Sequence, residues 1–528
     1  MLRAVAGTTA DDRLAYLHSL DLIHVEGRSG EIAFKHALVR DAIYDGMLNE
    51  QRAALHLKIA TEIERVSHNR LFEVADELAR HYRQTKYSDK AFQYLVMAGQ
   101  KCLRIYSLEA AGRYFEDALS LVEATPQCAD ETAFFGLLAD ISFVLTLMSI
   151  PGRLTRLVDQ YRARIDRLGA MQPKVIVLTN YAFAATMMCQ YPSALSAAEQ
   201  ALEMALRLDD NRSKAYARGA IMLVKATMGV ADCSDTLHQA ELGTLESDQT
   251  DDPYLQSWIR MNAAWSFFYR GLTDRGRAIA LEMQERGRRL RDPRAESMGL
   301  WVLGWLDIID ERYDDALVHG NECIELALTP FDREIGFQIK GVAEIMRGNV
   351  GEGAALLRAH RQRALANDFN YCRLGGDPPL GVAMILEGDF AGGVRFIEAA
   401  IQRSESEGSP LGRDLASIFL AETYLEFLAP KQKPPPMVML KNLPFLIKTM
   451  LTGRRRALEL LMQARDNPLF AGATYYRARI DADLGILHKR GKRRDEARWY
   501  LMQARSVAET LGASGLLSKI DMALVDLT

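Results

Sequence analysis

No apolar run in this sequence is long enough to cross a bilayer. The longest, FFGLLADISFVLTLMSI at 134–150, carries Asp140 and stops short of the roughly 20 residues that a spanning helix needs. The N-terminus MLRAVAGTTADDRLAYL has no apolar core of signal-peptide length, so export is not expected and a cytoplasmic location is. No CxxC pair occurs: the six cysteines at 102, 128, 189, 233, 323 and 372 are scattered. That argues against a zinc site and a disulfide framework, and for reduced, mostly buried thiols. Six of the ten histidines lie in residues 1–81 without an HExxH or other metal-ligand spacing, so no metal and no bound cofactor are expected. Net charge is only −4, which leaves no electrostatic footprint for nucleic acid. A phosphate-cradling GxxxxGK[ST] loop is also missing. Its nearest approach, GILHKRGKR at 485–493, has five residues between the glycines and Arg493 after the lysine, and it lies on a helix pair rather than after a strand.

A repeat runs through most of the chain. In LGILHKRGKRRDEARWYLMQA, Gly485 is followed after twelve residues by Ala497, after four more by Leu501 and after three more by Ala504. This spacing resembles the tetratricopeptide (TPR) pattern. It recurs as Ala79, Ala91, Leu95, Ala98; as Gly99, Ala111, Phe115, Ala118; as Ala182, Ala194, Ala198, Ala201; and as Gly304, Ala316, Gly320, Cys323. Gly341 with Gly353, and Gly381 with Gly393, repeat it again. Antiparallel helices approach closely only where small residues cross, and each pair must bury its remaining apolar face against the next. Ala316, Gly353, Gly393 and Ala497 mark a period of about 40, longer than the standard TPR, which predicts helices of roughly 16 to 18 residues. From residue 71 onward this gives about ten or eleven helical pairs, less clear at 131–170 and 213–246, with three successive helices over 71–124.

The first seventy residues change period. After a helix ending near Leu20, LIHV and EIAF flank EGRSG, a glycine-containing turn, and predict a β-hairpin. Helices are predicted from about His36 to Leu48 and from about Glu50 to Val66. This is the pattern of part of a winged-helix module. Residues 1–70 hold nine Lys/Arg against ten Asp/Glu, too few cations to neutralise phosphates, so a packing role is favoured over DNA binding. The expected fold is all-α: a TPR-like superhelix over 71–528 behind a small winged-helix-like module over 1–70.

FKHALVRDAIYDGML, followed by RAALHLKIATEIE, ELARHYRQT and AFQYLVMAGQKCLRIYSLEAAGRYFEDALSLV, resembles the region after the nucleotide-binding domain of bacterial signal-transduction ATPases of the STAND type. The resemblance is to those members that carry an N-terminal class III adenylate/guanylate cyclase domain and end in TPR-like helices. It is distinctive over 34–122 and loose afterwards. It implies that the repeats sense a partner or ligand, that the ATPase acts as a switch, and that the cyclase makes a cyclic nucleotide. It also implies that a histidine at the place of His36 approaches the nucleotide phosphate of the ATPase domain. A helix-start residue packing against the hairpin is the favoured reading of His36. Neither upstream domain is present in this chain, and no convincing strand pattern follows residue 34, so catalysis by this polypeptide is not expected. The expected role is a regulatory, partner-sensing module acting with a cyclase or ATPase domain in cis or in trans. A stand-alone TPR scaffold for peptides or proteins is the alternative.

The basic runs RGRRLR at 286–291, GRRR at 453–456 and KRGKRR at 489–494 fall near helix ends, where cations complement the helix dipole or are solvated. Trp258, Trp265, Trp301 and Trp305, with Phe267, Phe268 and Tyr269, recur at helical spacing and predict a shared core, with a groove-lining patch as the lesser reading. KQKPPPMVMLKNLPFLIKTMLTGRRR at 431–456 has no acidic residue between Glu426 and Glu459. Ala421 and Ala457 are 36 residues apart where other pairs are 12, so about 24 residues are inserted at about 430–453 into the turn of one hairpin. Prolines 434 to 436 predict an extended approach, and LPFLIKTML a short helix with Pro444 in its first turn. Leu443, Phe445, Leu446, Met450 and Leu451 are expected to fold back onto the superhelix. Leu443, Phe445, Leu446 and Met450 are also the candidate residues for contacting a partner. The resemblance extends to a similar insertion.

Overall fold

The computed structural model describes residues 5, 10–26, 31–167, 169–230, 233–429, 435–525 and 527, and the chain divides into two compact units, 1–144 and 145–528. The first unit opens with α1 (Ala10–Ser19), β1 (Ile23–Glu26) and β2 (Glu31–Phe34). The strands pair antiparallel with Ile23 opposite Phe34 and Val25 opposite Ile32. The EGRSG turn lies largely outside the described residues. Then come α2 (Ala37–Asp45), α3 (Asn49–Val66), α4 (Ala75–Tyr82), α5 (Ser88–Arg104), α6 (Leu108–Ala124) and α7 (Glu131–Leu147). Over 71–124 there are three helices, as the spacing predicts. Gly99 lets α5 and α6 cross: a Cβ there would lie 2.3 Å from the Phe115 ring.

In the second unit α8 (Pro151–Gln160) and α9 (Arg162–Arg167) precede a regular series: α10 (Gln172–Met187) with α11 (Tyr191–Leu208), α12 (Asn211–Met228) with α13 (Cys233–Asp248), and α14 (Pro253–Arg270) with α15 (Thr273–Leu290). It continues with α16 (Pro293–Ile309) and α17 (Tyr313–Leu326), α18 (Pro330–Arg347) and α19 (Val350–Ala366), and α20 (Cys372–Leu386) and α21 (Phe390–Ser406). Next come α22 (Pro410–Leu428), the short α23 (Pro436–Lys441) and α24 (Leu443–Arg465), then α25 (Tyr475–Arg490) with α26 (Arg494–Thr510), and α27 (Ser514–Val525). The protein is all-α, built of TPR-like hairpins, with one two-stranded sheet among the described residues, in the first unit. First helices begin at 211, 253, 293, 330, 372 and 410, which is the period of about 40 read from the small residues. The packing logic also holds atom by atom. A Cβ on Gly381 would meet Ile397 at 2.5 Å, sixteen residues on, and one on Gly393 would meet the Gly381 carbonyl at 2.5 Å. No side chain larger than glycine fits this crossing, which is why the 12-residue spacing carries small residues on both helices.

The first helices are apolar almost all round. α14 is buried continuously from Ser257 to Arg270, the pattern of a helix covered on both sides. One side is covered by its own second helix, the other by the preceding hairpin α12–α13, and the next turn of the superhelix meets its C-terminal end. The Tyr371 N–H donates to the Met187 carbonyl at 2.8 Å, Ser409 Oγ donates to the Thr227 carbonyl at 3.2 Å, and the Tyr475 N–H donates to the Gly271 carbonyl at 2.8 Å. Tyr475 Oη adds a bond to the Ile309 carbonyl at 2.7 Å. The first three contacts each join the C-terminal end of one first helix to the N-terminal end of the first helix five hairpins later, and the last joins α16 to α25, four hairpins on. The carbonyls that a helix end leaves unpaired thus find donors one turn on, and helix dipoles meet head to tail.

The insertion does not disturb this winding. Thr227 and Ser409 are 182 residues apart, whereas Gly271 and Tyr475, which span the insertion, are 204 apart yet make the same kind of contact. Ala421, Ala457, Leu461 and Ala464 are fully buried, so the interrupted hairpin is still a hairpin. Three details differ from the sequence reading. Pro436 is not extended but opens the short helix α23, because a proline is tolerated in the first turn, where its missing N–H costs no bond. LPFLIKTML is not a separate short helix but the first part of the 23-residue α24, because nothing from Leu443 onward breaks helical hydrogen bonding after Pro444 in the first turn. And only one face of it folds back. Phe445 meets Phe427 and Phe390 edge-on with centroids 5.3 and 6.4 Å apart, and Thr449 and Gly453 continue that face at four-residue steps. Leu443, Met450 and Leu451 lie on the opposite side and are exposed. Asn442 Nδ2 pins the start of α24 by donating to the Gly388 carbonyl at 2.9 Å. Pro434 and the residues before it in the insertion lie outside the described residues. Replacing Phe445 by alanine is expected to cost about 2 kcal/mol in urea unfolding, and Leu451 by alanine less than about 0.5 kcal/mol. Equal costs would contradict the two-faced packing.

Candidate functional site

Because five hairpins complete a turn and the next turn lies against the first, the concave side of the second unit becomes a cavity of about 510 Å³. That lies in the range of small-molecule sites. Its inner wall is aromatic: Phe183, Trp265, Phe268, Trp301, Phe331 and Tyr371 line it, and all but one of the tryptophans in the chain lie in α14, α16 or the cavity wall. Trp301 is 1% exposed, and its indole N–H donates to Ser297 Oγ at 3.1 Å. Trp265 stacks on Tyr269 at 5.6 Å and meets Phe268 edge-on at 5.4 Å. The hydroxyls of Tyr269 and Tyr371 are hydrogen-bonded to each other across the turn. Burial pushes the Tyr269 phenol well above its usual value, so it stays an un-ionised hydrogen-bonding group. The aromatic series read from the sequence as core is buried, and part of it also faces a void.

At one place the wall is charged. Arg479, on α25, makes a two-pronged pair with Glu422 on α22: Nε to Oε1 at 2.8 Å and Nη2 to Oε2 at 2.6 Å. Lys519, on α27, donates to Asp483 Oδ1 at 2.7 Å and lies 3.6 Å from Glu422 Oε1. Asp483 is fully buried, and its Oδ2 has no hydrogen-bond partner. Burial works against the charge of Glu422, but the Arg479 and Lys519 charges overcome it and hold the carboxyl below the usual carboxylate range. For Asp483 burial wins over Lys519, and its carboxyl is pushed up. The guanidinium of Arg479 also lies 5.1 Å from the centre of the Phe419 ring, a cation over an aromatic face. Exposed Met346, Leu386, Glu311 and Glu426 stand among the lining residues and mark the side open to solvent. The site therefore offers flat apolar surface for a ligand body and a balanced set of fixed charges for a polar head.

Sequence reasoning missed these charged residues. The signal was present: YYRARIDADLGIL and LAETYLEFLA place Arg479, Asp483 and Glu422 on first helices whose other positions read as core. Charges on a helix that is buried all round must be paired or functional.

The residues singled out from the sequence lie elsewhere. His36 is exposed at the N-cap position of α2 and makes no side-chain cap. Leu443 and Met450 are exposed on α24, and Phe445 and Leu446 are partly buried against the core. None of these four lines the cavity. Of the cysteines, 128, 189, 323 and 372 are buried free thiols and Cys102 is partly so. Among the described residues no group of three or more His, Cys, Asp or Glu is placed to hold a metal ion, and no helix is long and apolar enough to cross a membrane. In the first unit, Tyr44 Oη, His56 and His81 form a hydrogen-bonded series at 2.8 Å each. Burial lowers both imidazoles, His81 to about 4, so the pair shares its bond as neutral rings.

Fold and site together define a helical-repeat protein whose concave surface is closed into a cavity. No protein-family model matches the chain, and no curated protein matches it. Among solved structures it is similar to a STAND protein with a tetratricopeptide repeat sensor from Pyrococcus horikoshii, with 14% identity and a TM-score of 0.34 over 87% of this chain and 62% of that one. It is also similar to the APC/C hetero-tetramer Cut9–Hcn1, with 12% identity and a TM-score of 0.26 over 83% of this chain and 92% of that one. The chain thus spans about 62% of the length of the STAND protein it matches.

Proposed function

We propose that this chain is the sensing and interaction module of a STAND-type signalling system, and that what it senses is a small amphipathic molecule held in the cavity of the second unit. The observation that carries the reading is the closure of the concave side into about 510 Å³ with an aromatic wall and one charged cluster, a volume that suits a compact ligand. The sequence motifs over 34–122 supply the link to an ATPase switch and, through it, to a cyclase. A stand-alone scaffold that lays a peptide along its concave groove is the second reading. Against it stand the turn-to-turn contacts at Met187, Thr227 and Gly271, which occupy the path a peptide would follow.

The test is a thermal-shift screen of the full chain with aryl and alkyl carboxylates and amines. A ligand at about a hundred times its Kd adds about 2.7 kcal/mol to stability, a rise in Tm easily seen. Leu415→Trp, which fills the lined space, is expected to abolish the shift while keeping the fold. A set of probes without effect, or an equal shift in the filled variant, would sink the cavity reading. Binding of a separately supplied ATPase domain, with His36→Ala altering nucleotide retention in that complex, tests the signalling half.

A further inference from the structure

From the exposed face of the insertion we infer that this protein docks on an anionic lipid surface through α23 and the first three turns of α24. Leu443, Ile447, Met450 and Leu451 fall at three- and four-residue steps and so form one stripe along α24, opposite the face that Phe445, Thr449 and Gly453 bury. Met437 and Leu440, on α23 immediately before it, are exposed as well. The stripe is not marginally accessible: Leu451 is 81%, Met437 76% and Leu440 66% exposed. Leaving so many large apolar side chains in water on one surface marks an interaction site.

The chemistry of the surroundings selects the partner. Lys441 and Lys448 are exposed within the stripe, Arg454 and Arg455 are exposed at its end, and no carboxylate occurs between Glu426 and Glu459 in a chain whose net charge is −4. The segment is therefore a basic island on an acidic protein. Protein interfaces are depleted in lysine and are anchored by aromatic residues. This stripe holds two lysines, and its one aromatic residue, Phe445, is turned inward against Phe427. An interfacial helix has the opposite needs, unbranched or branched aliphatic side chains to enter the acyl boundary and lysines to reach the headgroups. The stripe is held rigidly by Asn442 and Phe445, so no ordering of the chain is required on contact. This inference is independent of what the cavity binds.

Co-sedimentation of the full chain with phosphatidylcholine vesicles, with and without phosphatidylglycerol, tests it. Binding is expected only with phosphatidylglycerol and should fall as salt is raised. The triple variant Leu440→Gln, Ile447→Gln, Leu451→Gln should bind at least about tenfold more weakly, and Lys441→Ser with Lys448→Ser should remove the preference for anionic vesicles. Both variants should keep the wild-type Tm, because the altered side chains are exposed. No binding to anionic vesicles, equal binding to neutral ones, or unchanged binding by the triple variant would overturn the inference. So would a wild-type dimer that the triple variant converts to monomer, which would assign the stripe to a second copy of this chain, or a marked fall in Tm, which would make it core.

Discussion

Lys519→Ala is expected to destabilise the second unit by about 3 kcal/mol at pH 8 and by much less at pH 5. Among the described residues Lys519 is the one cation hydrogen-bonded to Asp483, whose side chain is fully buried and whose second oxygen has no hydrogen-bond partner there. Removing the lysine leaves a buried carboxylate with no hydrogen-bonded cation and only the charge of Arg479, itself paired with Glu422, to oppose burial, which costs several times what a surface pair is worth. The carboxyl then escapes by taking up a proton. Its folded pKa, already raised by burial, rises further above the unfolded value near 4. A carboxyl raised in the folded state stabilises below the unfolded pKa, and that stability is lost as pH climbs through the folded pKa. The variant should therefore weaken from about pH 4 upward. Asp483→Asn in the same chain should restore most of the loss at pH 8. Urea unfolding followed by tryptophan fluorescence reads this unit alone, since Trp258, Trp265, Trp301, Trp305 and Trp499 all lie in it. Losses equal at the two pH values would mean that the lysine stem, and not its charge, matters.

Gly271→Ala should cost about 3 kcal/mol, against about 1 kcal/mol for Gly408→Ala. The two glycines have nearly the same left-handed backbone, φ 74° and 72°, so the strain of adding a side chain is shared. Their surroundings differ. A Cβ at Gly271 would lie 2.9 Å from the Tyr475 nitrogen and 3.0 Å from that of Tyr476, whereas nothing lies within 4 Å of one at Gly408. Backbone atoms cannot step aside as a side chain can, so the methyl pushes one superhelical turn off the other and strains the Tyr475 to Gly271 hydrogen bond. Gly229, facing the Leu411 nitrogen at 2.8 Å, should behave like Gly271. Thermal unfolding of the variants reads the difference directly. Equal costs at 271 and 408 would show that the turn-to-turn contact adds nothing.

What the sequence shows depends on how far apart the contacting residues are. Gly381, Gly393 and Ile397 meet within one hairpin, so a fixed spacing records them and the hairpins were legible, including the one split by the insertion. The bond between Ser409 and Thr227 joins residues 182 apart, and no local pattern encodes such a distance. The cavity depends on that closure. The burial of Trp301 and Trp265 could be read, but the space beside them could not, because it belongs to no single helix. The same holds for α24: helical periodicity was visible from Leu443 to Leu451, but which of its two apolar faces would meet Phe427 depends on the path of the neighbouring hairpins. Arg479 and Asp483 were visible as charges on a core-like helix, and their partners Glu422 and Lys519 lie 57 and 36 residues away.

Solenoids ordinarily couple only adjacent units, so their ends fray and whole units are gained or lost with little penalty. Here the first helices α10, α12 and α14 are also tied to ones five positions along the series, and α16 to one four positions along. Loss of a single unit between them would shift all of these ties out of phase at once, so the region is constrained to change length by lengthening a turn, as it has between Leu428 and Ala457. It should also lose structure as one cooperative block, with a folding rate limited by ring closures of about 180 to 200 residues and not by the fast local zippering of each pair.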